Sequence, residues 1–219
     1  MHQMPGSEDS GSRAAHVMVP HRWRSARILE AVWQVNEHLV SALSELARLG
    51  SVSTVIVRQN SECLRCLDAA GCKRAARIPV LLLDLHFQSA DWWRIAAGLN
   101  GGGYPAASSD SSLPADLAAE LTRETLIVSW LAVRDTPQSA NLLIGMSDAV
   151  ASLLRELTVQ QIDRVAVRKS QELRIRWQSN PEFWQRLLAA GQSGSAEELC
   201  ETHLFGLQLL GGELMSGNS

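Results

Sequence analysis

One segment of this 219-residue chain is written twice. Leu83-Asp-Leu-His-Phe-Gln-Ser-Ala-Asp91-Trp-Trp93 returns as Leu173-Arg-Ile-Arg-Trp-Gln-Ser-Asn-Pro-Glu182-Phe-Trp184, 90 or 91 residues later, with one residue inserted. The shared pattern is Leu, any residue, Leu or Ile, any residue, an aromatic, Gln and Ser, followed by an acidic residue, an aromatic and Trp. Upstream helical patterns line up as well: Asn60-Ser-Glu62 falls against Met146-Ser-Asp148. Chance likeness of one strand–turn–helix is the alternative. A matching order of helices on both sides favours duplication, because each copy then folds into the same supersecondary unit.

The organisation follows from that repeat. Residues 1–24 have no apolar period and are expected as a flexible arm, basic at its end through Arg22, Arg24 and nearby Arg27. Residues 25–98 form the first copy. Ile28, Val32, Val35, Leu39, Leu43 and Leu46 recur at helical spacing until Gly50. A second helix starts near Asn60–Ser61, carries Leu64 and Leu67 inward and ends by Gly71. The apolar run 79–87 has strand length, and Ser89 can cap a helix over 91–98. Residues 99–114, rich in Gly, Ser and Pro, are expected as a linker reaching roughly 20–25 Å. The second copy, 115–212, repeats the programme. A helix at 115–134 is broken by Pro137, Ser147 caps the next, and Thr158 with Gln161 makes a capping box. Leu173–Trp177 reads as a half-exposed strand, and Asn180–Pro181 opens another helix. Ser195 and Glu198 make a second capping box. It opens an extra last helix carrying Leu199, Leu204, Leu207 and Leu210, before a tail at 213–219.

Composition narrows the function. Lys plus Arg number 20 against 23 Asp plus Glu, a net charge of −3. Nucleic-acid-binding domains are usually basic, so a DNA role needs a local patch or a basic partner. No apolar stretch approaches the roughly 20 residues that span a bilayer, and the N-terminus has no apolar signal-peptide core. The four cysteines, three of them clustered, do not resemble a secreted disulfide framework. These features imply a soluble cytoplasmic protein. With no GxSxG, P-loop or GxGxxG, and no carboxylate or nucleophile placed beside a histidine, no enzyme, cofactor or small-molecule ligand is expected.

In the second copy, Thr136-Pro-Gln-Ser-Ala-Asn-Leu-Leu-Ile-Gly-Met-Ser-Asp148 resembles the segment after the first helix of FlhD, the D subunit of the bacterial flagellar master transcriptional activator. Leu154-Arg-Glu-Leu-Thr-Val-Gln-Gln-Ile-Asp-Arg-Val-Ala166 is similar to that family's Leu-Thr helix, Leu173–Gln178 to its short strand, and Glu197–Leu204 to the start of its C-terminal helix. The resemblance covers about 95 residues, from Leu117 to about Leu210, in pattern and order with few identities. Arg27–Gly98 resembles the same family without the last helix. The resemblance implies a mainly α fold in which two FlhD-like helical repeats form an intramolecular pseudo-dimer joined by a short two-stranded β-ribbon. The repeat–repeat interface would use Leu83, Leu85, Phe87, Leu173, Ile175 and Trp177. It further implies a transcriptional regulator subunit that acts with an FlhC-like partner on promoter DNA of flagellar or conjugative-transfer genes. The alternative is a scaffold or adaptor of a secretion or motility apparatus that kept the fold and lost DNA binding.

Candidate sites carry a bland reading beside the sharp one. Arg164, Arg168, Lys169, Arg174, Arg176 and Arg186 lie where FlhD-like proteins place DNA-proximal residues. Arg174 and Arg176 alternate with Leu173, Ile175 and Trp177, so both are expected to point away from the core and can meet phosphates; an ordinary solvated face accounts for the same pattern. Cys63, Cys66 and Cys72 with His86 can supply four zinc ligands, while small buried residues explain the match of Cys63 and Cys66 to Ala149 and Ser152. The seven tryptophans recur mostly at equivalent places and are expected in the core, with Trp177 where the first copy has Phe87. Trp23 in the arm has no structural explanation.

Overall fold

A computed structural model describes residues 21–51, 53–99, 113–135 and 137–217. These residues are mainly helical, with one short two-stranded antiparallel sheet. The first half runs α1 (His21–Arg48), α2 (Val55–Cys66), α3 (Ala69–Ala76), β1 (Leu83–Asp84) and α4 (Ala90–Ala96). The second runs α5 (Ala115–Asp135), α6 (Pro137–Ile144), α7 (Asp148–Glu156), α8 (Val159–Lys169), a 3-10 turn at Ser170–Glu172, β2 (Arg174–Ile175), α9 (Pro181–Ser193) and α10 (Ala196–Gly217).

Several boundaries differ from those expected of the sequence. Helix α1 begins at His21, so 21–24 are helical; the remainder of the expected arm, and linker residues 100–112, lie outside the described residues. Pro137 opens α6 rather than only ending α5, since its missing N–H costs nothing in a first turn. Helix α10 runs past 212 to Gly217. The nine-residue apolar run 79–87 yields a strand of only two residues, although its large side chains are buried. A side chain takes up the ladder's role there. Asn36, fully buried on α1, donates to the carbonyls of Ala76 and Val80 and accepts from the Leu82 N–H. These bonds satisfy backbone groups of a segment that bends at 79, 80 and 82 before the strand begins.

The capping chemistry follows the sequence closely. Thr158 and Gln161 make the reciprocal box on α8, and Asp68, Ser89, Ser147 and Asn180 each accept from a first-turn N–H. Ser195 accepts from the Glu198 N–H, but the Glu198 carboxylate takes the Ser193 hydroxyl instead. Helix α2 is bent at Asn60 (φ −127°, ψ 23°), at the place where the second half breaks between α6 and α7.

The two halves are interleaved. In the ribbon Asp84 faces Arg174 and Leu83 faces Ile175. Helix α9 packs on α2 and α3 of the first half, α4 packs on α7 of the second, and α1 packs on α5 and α6. Small residues permit the α3–α9 contact: a Cβ added at Gly191 would stand 2.9 Å from both the Ala75 Cβ and the Gly71 carbonyl. One continuous core results, running from Ile28 on α1 through Trp93 and Trp184 to Leu210 on α10.

Candidate functional site

The six basic candidates do not form one surface. Arg164 and Arg168 lie one turn apart on the exposed face of α8, and Arg186 is exposed on α9, where it pairs with Glu182 and lies over the Phe205 ring. Lys169 is only 4% exposed and is engaged by Glu172 at 2.7 Å. Arg176, expected to point outward, is likewise 4% exposed.

The burial of Arg176 has a local cause. His86 and Trp177 both adopt left-handed backbone, φ 51° and 52°, and each accepts at its carbonyl from a helix cap, Ser89 or Asn180. These turns are equivalent, so Trp177 stands opposite His86 rather than Phe87. Arg176 is therefore the inserted residue. An extra residue between strand and turn shifts the alternation by one and sends its side chain inward. Inside, its backbone N–H donates to the Leu82 carbonyl, Nε to Leu83 and Nη2 to Ile144. Its guanidinium also pairs with Asp84 and Glu213. One side chain thus fastens β1, the end of α6 and α10. Beside it, an open cleft of about 480 Å³ is lined by Asp84, Gln88, Arg174, Trp177 and Glu213. An anion entering there would meet the Asp84 and Glu213 carboxylates along with Arg174 and the Arg176 guanidinium that those carboxylates already pair, so the basic surface at the ribbon is offset by acid.

Of the six expected interface residues, Leu83, Leu85, Phe87, Leu173 and Ile175 are buried, while Trp177 is partly buried and meets Phe183 edge-on at 4.7 Å. A polar cluster adjoins them. The Glu172 carboxylate accepts from Trp92 Nε1 at 2.6 Å and from Lys169 Nζ at 2.7 Å. His86 stacks on Trp92 at 4.8 Å, with Nε2 3.6 Å from Glu172. His86 and Trp92 come from the first half, Lys169 and Glu172 from the second. The spacing of Lys169 and Glu172 on one turn is the only sequence signal for it; the Trp92 contact has none.

Acidification is expected to loosen this junction in two steps. Burial, and then Arg174, hold the His86 imidazole below its ordinary 6.5, so the unfolded chain takes a proton first and stability falls as pH drops through that value. His203, lowered by burial, acts in the same range. Burial pushes the Glu172 carboxyl up, but Lys169 and Trp92 outweigh it and hold the group below its ordinary 4.5. Its contribution is present above that value and is lost below it. Thermal melts followed from neutral to well below pH 4.5 test this. His86→Asn, chosen because Asn tolerates a left-handed backbone, should shrink the upper step, and Glu172→Gln should remove the lower one. An unchanged pH profile in both variants would sink the assignment.

The zinc set does not assemble. All four cysteines are free thiols; Cys72 is buried, Cys63 half-buried and Cys66 exposed, while His86 belongs to the Trp92–Glu172 cluster. Burial also pushes the Cys72 thiol up, away from the thiolate that a metal needs. Among the described residues no group of three or more His, Cys, Asp or Glu is placed to hold a metal ion. No described helix is long and apolar enough to cross a membrane.

Comparisons with protein-family models, with curated proteins and with solved structures find no match to this chain.

Proposed function

We propose that this chain is a non-enzymatic FlhD-like regulator subunit in which two tandem repeats form an intramolecular pseudo-dimer. It works in the cytoplasm with an FlhC-like partner at promoter DNA of flagellar or conjugative-transfer genes. The observation that carries the reading is the pairing of equivalent strand residues, Asp84 with Arg174, while α4 and α9 each pack on the opposite half. A two-fold interface pairs like with like in this way, and the recurrent left-handed turns at His86 and Trp177 support the same correspondence. Tethering makes the pairing intramolecular, so light scattering on the isolated chain should give a monomer near 23.9 kDa. An obligate homodimer contradicts the reading.

DNA contact is assigned to Arg164 and Arg168 on α8, with Arg174 and Arg186 secondary. Lys169 and Arg176 are spent on internal pairs. The net charge of −3 leaves most phosphate binding to the partner. In a DNA-shift titration of the reconstituted complex, Arg164→Ala with Arg168→Ala should reduce the slope of log affinity against log salt by about 2, one for each phosphate-binding cation removed. An unchanged slope removes α8 from the interface, and no binding even at low salt removes the regulator role. The adaptor of a secretion or motility apparatus is the second reading. It draws support from the burial of Lys169 and Arg176, which strips the surface of two of its six basic candidates.

A further inference from the structure

Helix α10 is apolar on two faces, and the fold uses one of them. Its inner face carries Thr202, Gly206 and Leu210, flanked by Phe205 and Leu209. Gly206 lets it lie so close to the first half that a Cβ there would stand 2.6 Å from Ile78 Cδ1, and Glu213 ties it to Arg176. The outer face carries Cys200, Leu204, Leu207, Gly211 and Met215 at spacings of four, three, four and four, which is a single stripe along a helix. Leu204, Leu207 and Met215 are 57%, 41% and 76% exposed. A Cβ at Gly211 or Gly212 would meet nothing within 4 Å, so a second backbone has room to approach. An apolar stripe on a helix is ordinarily buried against a neighbour, and of the two stripes on α10 the fold covers one.

Charge says what covers the other. Helix α10 carries Glu197, Glu198, Glu201 and Glu213 and no Lys or Arg. Glu197 and Glu201 border the outer stripe, one turn apart. A second copy of α10 complements them in neither orientation: laid parallel, acid meets acid, and laid antiparallel, acid meets a segment without a cation. A helix with its own apolar stripe and Lys or Arg beside it satisfies both the leucines and the glutamates. We propose that the outer face of α10 is the docking site for a basic amphipathic helix of a partner protein. This goes beyond the proposed function and needs no DNA. Failure of the DNA-shift experiment leaves it standing, and its own failure leaves the α8 assignment standing.

The test uses the full chain and a labelled synthetic helix of about 21 residues, three heptads, with Leu at the a and d positions and Lys at e and g. The control peptide has Glu at e and g. The Lys peptide is expected to bind about tenfold or more tightly than the Glu peptide, with the advantage shrinking as salt rises. Leu204→Glu combined with Leu207→Glu should abolish binding. Cys200 lies on the stripe and is exposed, whereas Cys66 is exposed on α2. Bound peptide should therefore slow alkylation of Cys200 and leave Cys66 unchanged. That readout decides the matter in the unaltered chain even if the double variant misfolds. Equal affinity for the two peptides, or no protection of Cys200, overturns the proposal. Self-association of the chain that the double variant abolishes overturns it too, in favour of a second copy.

Discussion

Arg176→Ala is expected to lower stability by about 3 kcal/mol, the lower end of the cost of removing one partner from a buried ion pair. The substitution strands the carbonyls of Leu83 and Ile144 and leaves Asp84 and Glu213 without their cation. Those two carboxylates keep 25% and 35% of their surface, so they rehydrate in part, which places the loss at the lower end. For a chain of this size that corresponds to a fall in melting temperature of roughly 10 °C. Arg176→Lys should recover a fraction only, because an ammonium restores the charge without the fork that reaches several acceptors at once. Chemical denaturation with both variants measures this. A loss below about 1 kcal/mol would mean that the guanidinium is solvated and that α10 is held by its apolar face alone.

Trp184→Ala is expected to cost about 3–5 kcal/mol, the usual penalty for deleting a large buried aromatic. Trp184 and Trp93 are each 1% exposed and occupy equivalent places on α9 and α4. Trp93→Ala should fall in the same range. The phenylalanine variants should separate them. Trp184 Nε1 donates to the Arg176 carbonyl at 3.2 Å, whereas Trp93 Nε1 is buried with no partner. Both variants lose ring volume, but Trp184→Phe also loses a hydrogen bond, while Trp93→Phe removes an unsatisfied buried donor, so Trp184→Phe should cost about 1 kcal/mol more than Trp93→Phe. Equal losses in the two phenylalanine variants would show that the indole N–H groups are irrelevant and only ring volume counts.

These two predictions also mark how far the sequence reaches. The paired tryptophans were legible from the repeat, because an acidic-aromatic-Trp pattern at a helix start places the second aromatic inward in both halves. The caps at Ser89, Ser147, Thr158 and Asn180 were legible for a similar reason: each bonds an N–H within its own first turn. Arg176 was not. Alternation along Leu173–Trp177 places it outside, and only the left-handed turn at Trp177 reveals that the inserted residue of the second copy is Arg176 itself. Lys169 misled in the same way. A cation in the last turn of a helix ordinarily faces solvent, but here Glu172 accompanies it inward.

By itself the sequence determined the mainly helical composition and the starts of α4, α5 and α7 to α10, but it ran α2 and α3 together and left out α6. Those starts depend on interactions spanning three or four residues, which spacing records. Tertiary structure alone decided the rest. It shortened an apolar run of nine residues to a two-residue strand, because Asn36 from α1 takes the backbone groups a longer ladder would use. It sent α9 across onto α2 and α3, joined Trp92 to Glu172, and turned Leu204 and Leu207 outward on α10. Each of these outcomes sets groups far apart in the chain against one another. Hydrophobic burial favours any arrangement that hides enough apolar surface, and the choice among such arrangements rests on close packing and on the pairing of buried polar groups.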